Sequence, residues 1–339
     1  MQPVIDQIEK QIKEEKFSGV VYARNHNDVI LESASGFANR AEEIENNIHT
    51  SFGIASGCKL FTAVAICQLV ERGLLSFQSK IEDCFKVPFP KFDNNITVHQ
   101  LLTHTSGIQD YFDEETMEDY EDLWVQTPSY TMNEPKDFLP LFQDGEMKFP
   151  PGEKFNYNNA AYIILGLIVE QLSEQSFTDY VSTNIFEPSG MHDSGYFPQD
   201  ALPKNTAKGY IDFKDGTWKT NVYSIPKKGG PDGGAYITAP DMINFWESLI
   251  NGRLISKPFV FNLLTPHVHV KGSTHYGYGV WIDKNENAIT KYHVMGYDPG
   301  VSFHSAYYPS SDLMIAIPSN KERGPYKLLK ILEQEWGIQ

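Results

Sequence analysis

Strand-like runs occupy both ends of this chain and long apolar helical runs fill its middle, an order that restricts the fold more than any single motif. Near the amino end, Val4, Ile5, Ile8 and Ile12 recur at helical spacing. Ser18–Arg24 and Val29–Ser35 follow as strand-like runs joined by Asn25-His26-Asn27-Asp28, a turn composition. Near the other end, Gly277–Ile282, Val301–Tyr308 and Leu313–Pro318 read as strands. A closing helix is expected from about Pro325, a residue suited to a first helical turn. From Lys59 to about Phe186 the apolar runs are longer and helical, separated by Pro- and Asp-rich loops. The expectation is a sheet completed by both termini, with a helical region inserted between its halves.

Composition narrows the partners. The 339 residues hold 28 Lys+Arg against 44 Asp+Glu, a formal net charge of −16, which argues against a nucleic-acid or anionic-membrane surface. A hydrophobic content of 41% is enough for a sizeable core. The runs Phe61–Val70 and Ala160–Val169 are about half the ~20 residues a bilayer span needs. Cys58, Cys67 and Cys84 match no zinc or CxxC spacing and cannot close a disulfide framework. The first sixteen residues carry seven charges and no apolar core of a signal peptide, so a cytoplasmic protein is expected; a chain stripped of its leader would look the same.

The first chemical signal is Ser56-Gly-Cys-Lys59, which runs directly into the apolar stretch Leu60–Val70. At a spacing of three, Ser56 and Lys59 share one helix face. A serine hydroxyl is a weak nucleophile until a neighbour takes its proton, and burial moves a lysine towards that role. A helix amino terminus also offers unpaired N–H groups to a developing oxyanion. Residue frequencies alone give about one S-x-x-K in such a chain, and a second, Ser224-Ile-Pro-Lys227, does occur. The plainer reading makes Ser56 a helix cap and Lys59 a solvated side chain.

The second signal is Tyr157-Asn-Asn159, ahead of the apolar run Ala160–Leu172 and the only Tyr-x-Asn among 18 tyrosines. A tyrosine at such a loop-to-helix junction can reach a nearby serine, and an adjacent ammonium favours its phenolate. An asparagine two residues on offers a donor and an acceptor to a substrate amide. Here the plainer reading is a helix start with a packed aromatic.

Together these segments resemble the serine β-lactamase/penicillin-binding-protein-like family, closest to its class C β-lactamase and related esterase branch. Leu101-Leu-Thr-His-Thr-Ser-Gly-Ile108, Ile185–Met191 and Gly233–Asp241 support the match across most of the chain. The resemblance implies an α+β fold, β-lactamase/transpeptidase-like, with an antiparallel sheet flanked by helices and an all-helical subdomain. The expected division is 1–58 with 200–339 as the α/β part and 59–199 as the helical part, the active site lying between them. It implies Ser56 as nucleophile, Lys59 and Tyr157 sharing the proton transfers, and Asn159 holding the substrate amide. No metal or organic cofactor is implied, and the partner is a small-molecule or short-peptide acyl substrate.

The third family motif, K-T-G or H-x-G, is expected at Val294-Met295-Gly296, where no Lys or His stands at its head. His293 sits one residue early, which on a regular strand points it to the opposite face unless a bulge intervenes. The backbone N–H of Tyr297, after Gly296, still serves with that of Ser56 as an oxyanion hole. A missing cation weakens recognition of anionic substrates. The run Asp113–Asp122, seven acids in ten residues, is either a solvated face or an overhang that repels anions from the cleft. The expected activity is a serine acyl hydrolase acting on an ester or amide (D-amino-acid peptide-like) substrate with poor β-lactam turnover; the rival is a non-catalytic or slowly acylated penicillin-recognising sensor on the same fold. His267-Val-His269, His99 and His104 are read as structural rather than metal-binding.

Overall fold

The computed structural model describes residues 2–84, 88–113, 115–117, 119–286 and 288–338. Helix α1 (Gln2–Glu14) leads into the hairpin β1 (Gly19–Asn25) and β2 (Asp28–Ser35). Asn25 pairs with Asp28 across a two-residue turn, and His26 takes the left-handed conformation (φ 50) that matches strand twist in such hairpins. Helices α2 (Lys59–Glu71) and α3 (Asn159–Ser173) follow, then α4 (Ala239–Ile250). The chain closes with β3 (Val268–Lys271), β4 (Thr274–Tyr276), β5 (Trp281–Lys284), β6 (Ile289–Asp298), β7 (Val301–Tyr308), β8 (Leu313–Ser319) and α5 (Pro325–Glu335).

Eight strands form one antiparallel sheet in the order β2-β1-β8-β7-β6-β5-β4-β3. The carboxyl-terminal β8 lies between β1 and β7, and Gly19 pairs with Ser319. The sheet therefore cannot form until both ends of the chain are present, as the order of the runs requires. One segment differs from its expected structure. The strand expected over Gly277–Ile282 begins only at Trp281, because Gly277 N–H turns back to Val280 O (2.8 Å) and Tyr278 N–H bonds Leu263 O (3.0 Å).

Strand alternation divides the apolar side chains between two faces. On the outer face, Val21, Ala306, Ile315 and Ile317 pack under Ile8 and Ile12 of α1 and Leu328, Leu329 and Leu332 of α5. On the inner face, Val20, Phe303, Tyr307 and Ala316 share a core with α4, α2 and α3. That core takes residues from both sides of 58/59 and 199/200, so the two regions have a common interior. Helix α2 is apolar on all sides, the pattern of a fully enclosed helix. Two polar side chains of this helix bond to distant backbone: Thr62 Oγ1 donates to Pro231 O (2.6 Å) and Gln68 Nε2 to Asn184 O and Leu254 O. Among the described residues no helix is long and apolar enough to cross a membrane.

A charged cluster sits on the outer face beneath α5. Lys291 Nζ meets Asp283 (3.1 Å) and Glu333 (3.0 Å), and Tyr308 donates to Glu333 (2.7 Å). His304, on the same face, hydrogen-bonds the Tyr297 hydroxyl. Burial, with the neighbouring His293 and Lys291, holds the His304 imidazole down to about 3.

Two predictions follow from this packing. A Cβ on Gly166 of α3 would stand 1.9 Å from Pro231 Cγ, so G166A is expected to cost about 1–3 kcal/mol by overpacking despite its helix propensity, read as a lower urea midpoint. Between about pH 6.5 and 3 the unfolded chain binds a proton at His304 that the folded chain refuses. The stability this group contributes is full above that window and lost as pH falls through it. His304→Gln, which keeps a partner for Tyr297, should therefore show a smaller drop in Tm between pH 7.5 and 5 than the unmodified protein; an equal drop refutes the assignment.

Candidate active site

Ser56 lies on a single tight turn, Ala55–Cys58, that feeds straight into α2. Ala55 holds φ 45, a left-handed conformation a side chain rarely adopts, which lifts the next residue out of the regular helix. Lys59 follows three residues later at the first position of α2, buried to 1% exposure. Its Nζ bonds Ser56 Oγ (2.9 Å), Asn159 Oδ1 (2.8 Å) and the backbone carbonyl of Asp232 (2.6 Å). Three acceptors match the three N–H bonds of an ammonium. Ser56, Lys59 and Asn159 are thus brought together from segments a hundred residues apart.

Tyr157 stands over the same group. Its ring centre is 4.9 Å from Lys59 Nζ, and the ring stacks on Trp281 (6.1 Å, 13°). On its other side is His104, 4.4 Å between ring centres. His104 Nδ1 accepts the N–H of Asn158 (3.0 Å), which leaves the proton on Nε2, facing the Tyr276 hydroxyl at 3.1 Å. Burial first and the Lys59 charge second push its pKa well below the ordinary value, so the ring is a neutral brace under the Tyr157 loop. A structural role was expected for His104; its contact with the Tyr-x-Asn segment was not.

Two buried carboxylates escaped the sequence reading. Asp110 accepts from Asn159 N–H (2.8 Å), Asn159 Nδ2 (3.1 Å), Ala160 N–H (2.8 Å) and Tyr111 N–H (2.8 Å). Burial raises it to about 7, against these hydrogen bonds and the Lys59 charge, which pull it down. Asp232 accepts from the Tyr111 hydroxyl and is raised by burial, with Lys59 opposing. Asp110 lies two residues past the Leu101–Ile108 segment and Asp232 sits in the Gly229–Gly234 loop. Both segments stood out in the sequence, but no spacing rule links them to Lys59.

The third-motif strand is β6. Its register with β7 runs without a break from Tyr292↔Tyr307 to Asp298↔Val301, so no bulge shifts His293. Gly296 presses against the Ser56 turn: a Cβ there would stand 2.1 Å from Ile54 O and 2.8 Å from Ser56 N. Only glycine allows that approach. By alternation Val294 shares this face, whereas His293, Met295 and the Tyr297 side chain border a groove on the α5 side with Lys291 and His304. His293, a candidate substrate contact only if a bulge turned it to the cleft, is therefore corrected to an outer-face residue, 3.5 Å from Asp283. Pairing of β5 with β6 ends at Trp281↔His293, which leaves Val294–Tyr297 to meet the Ser56 turn.

A cleft of about 360 Å3 opens over these groups, lined by Ser56, Asn159, Gly233, Tyr111, Tyr236 and Tyr297 among others. Asp119, Asp298 and Glu322 also line it, against Lys228 as the lining cation among the described residues. The acidic run divides. Asp113 and Glu115 pair with Lys148, Glu121 pairs with Lys219, and Asp119 and Tyr120 reach the cleft. Glu114 and Glu118 lie outside the described residues. The second S-x-x-K falls in a loop, with Ser224 Oγ on Glu121 (2.5 Å). His267 stacks on Tyr278 at 4.1 Å, and among the described residues no group of three His, Cys, Asp or Glu is placed to hold a metal.

A family model described as Beta-lactamase matches residues 5–333. The chain is 53% identical to the penicillin binding protein from Bacillus halodurans, whose crystal structure superposes with a TM-score of 0.93 over 97% of this chain and 99% of that one. It is 27% identical to a putative penicillin-binding protein, PbpX, of Bacillus subtilis, over 97% of this chain and 78% of the relative. The D-amino acid amidase from Ochrobactrum anthropi SV3 shares the fold at 18% identity, with a TM-score of 0.80 over 99% of this chain and 98% of that one. The Ser56–Lys59 turn, the antiparallel sheet and the whole-length match agree: the chain belongs to the β-lactamase family of serine hydrolases.

Proposed function

We propose that the protein hydrolyses a small ester or D-amino-acid amide through an acyl-enzyme on Ser56. The observation that carries this reading is Lys59 Nζ held 2.9 Å from Ser56 Oγ at the base of the cleft. In the first step Ser56 Oγ forms a bond to the acyl carbon and the leaving oxygen or nitrogen departs with the serine proton. In the second, water breaks the new ester and returns the proton to Ser56. Lys59, saturated with acceptors, donates in the resting site. In both routes Tyr157 starts as the phenolate: it takes the serine proton directly, or it takes a proton from Lys59, which then receives the serine proton. Asn159 faces the substrate amide, and the N–H groups of Ser56 and Tyr297 receive the oxyanion.

Charge sets the substrate class. Val294 stands where relatives of the resembled family carry a cation, and the cleft lining holds Asp119, Asp298 and Glu322. Both features disfavour a substrate carboxylate and support neutral or cationic acyl compounds. Val294 also supports a second reading, a sensor that is acylated but does not turn over.

Incubation with a fluorophosphonate, a penicillin and a chromogenic short-chain ester, followed by intact mass and product release, separates the readings. Ester turnover with a mass gain that S56A abolishes is the expected result, with slow penicillin hydrolysis. Fast penicillin hydrolysis contradicts the substrate class; a stable adduct without turnover selects the sensor; no adduct and no turnover removes the catalytic assignment for these acyl classes. Val294→Lys should raise the rate of acylation by penicillin relative to the neutral ester by about tenfold, the equivalent of about 1.4 kcal/mol of new ion pairing. An unchanged ratio would show that position 294 does not select charge.

A further inference from the structure

Asn159 has a side-chain amide whose two ends are chemically distinct, and the site assigns each of them. Oδ1 accepts from Lys59 Nζ (2.8 Å) and Nδ2 donates to Asp110 (3.1 Å). A flipped amide would turn its NH2 towards the Lys59 donor and its oxygen towards the Asp110 carboxylate, so both contacts would become repulsive. Asp110 is itself immobile: its four partners are all N–H donors, three of them on the backbone, and it is buried. Asp110 itself does not line the cleft; it bonds Asn159 and Tyr111, which do.

We propose that Asp110 is a positioning residue of the reaction, which orients the Asn159 amide and through it holds Lys59 on Ser56. This rests on the acyl-enzyme reading and adds to it a residue outside the serine, lysine and tyrosine set. Charge balance supports the same role. Lys59 is enclosed with 1% exposure, and a buried ammonium needs compensating carboxylates close by. Asp110 and Asp232 both act on it electrostatically, and of the two only Asp110 is connected to it through a side chain that also faces the cleft. In Asp110→Asn an amide replaces a group that accepts on both oxygens. One pair of donors must then face an NH2: on one oxygen both donors are backbone N–H groups, of Ala160 and Tyr111, whereas on the other only Asn159 N–H is fixed and Asn159 Nδ2 can turn away, which makes the Asn159 side chain the group that yields.

A merely structural part is also open to Asp110, because a carboxylate at the amino end of α3 caps that helix. A double-mutant cycle with Asn159 distinguishes the two. The rates of Ser56 acylation by a fluorophosphonate and of turnover of a chromogenic short-chain ester are measured for the full chain and for D110N, N159A and the double variant. All are taken at a temperature where circular dichroism shows each folded. D110N should lower kcat and the acylation rate about 100-fold with little change in KM, the scale of an angstrom's misplacement of a reacting group. The double variant should be no slower than N159A alone, because Asp110 has nothing left to orient. Acylation of D110N within about threefold of the unmodified protein, or losses that multiply in the double variant, overturns the proposal. If D110N does not fold, D110E replaces it with the same criteria, since it keeps the helix-capping charge but displaces the oxygens. Failure of the unmodified protein to take up the fluorophosphonate at Ser56 refutes the acyl-enzyme reading instead, and this inference falls with it.

Discussion

A lysine ammonium removed from water is tolerated only where acceptors surround it, and Lys59 is the point on which this structure turns. Its three acceptors come from the Ser56 turn, from the start of α3 and from the 229–234 loop. None of these segments can move without leaving a buried N–H bond unmade, an error of about 1–3 kcal/mol or more for a charged group. The charge thus pins together the three parts of the chain that form the base of the cleft. Burial is the larger influence on the protonation of His104, Asp110 and Asp232, and the same charge acts on all three, adding to the fall at His104 and opposing the rise at Asp110 and Asp232.

Packing supplies the remaining precision. The inner face of the sheet, α2 and α3 share one core, and backbone approaches at Gly166 and Gly296 leave no room for a Cβ. At Gly296 this closeness brings the backbone of β6 against Ser56 N, where a side chain would separate them. The sheet that carries β6 is closed by β8 from the carboxyl end and β1 from the amino end, so the cleft depends on contacts between residues about 300 positions apart. The outer-face cluster of Lys291, Asp283, Glu333 and His304 lies behind that strand and fastens it to α5.

Much of this arrangement is legible in the sequence. The hairpin at 19–35, helices α2 and α3, strands β7 and β8 and the closing helix from Pro325 all follow from local periodicity and turn chemistry. The juxtaposition of Ser56 and Lys59 follows from a spacing of three, and the glycine at 296 from its place ahead of Pro299-Gly300. These features are local: propensity, alternation and a short loop or helical turn decide them within a few residues. The strand expected at 277–280 failed because its backbone donors were taken by Leu263 and by a turn, partners that no window of neighbouring residues contains.

What the sequence by itself determined, therefore, is the set of elements, the Ser56–Lys59 turn and the Tyr157–Asn159 segment that carry the family resemblance. Only the tertiary structure decided which other groups join them. Asp110, His104 and Asp232 became part of the site through contacts made across 49 to 173 positions. His293 left it because an unbroken register with β7 turns it to the outer face. The physical reason is the same in each case. A buried polar group is defined by its partners, and partners distant in the chain are fixed by how sheet and helices close on one another.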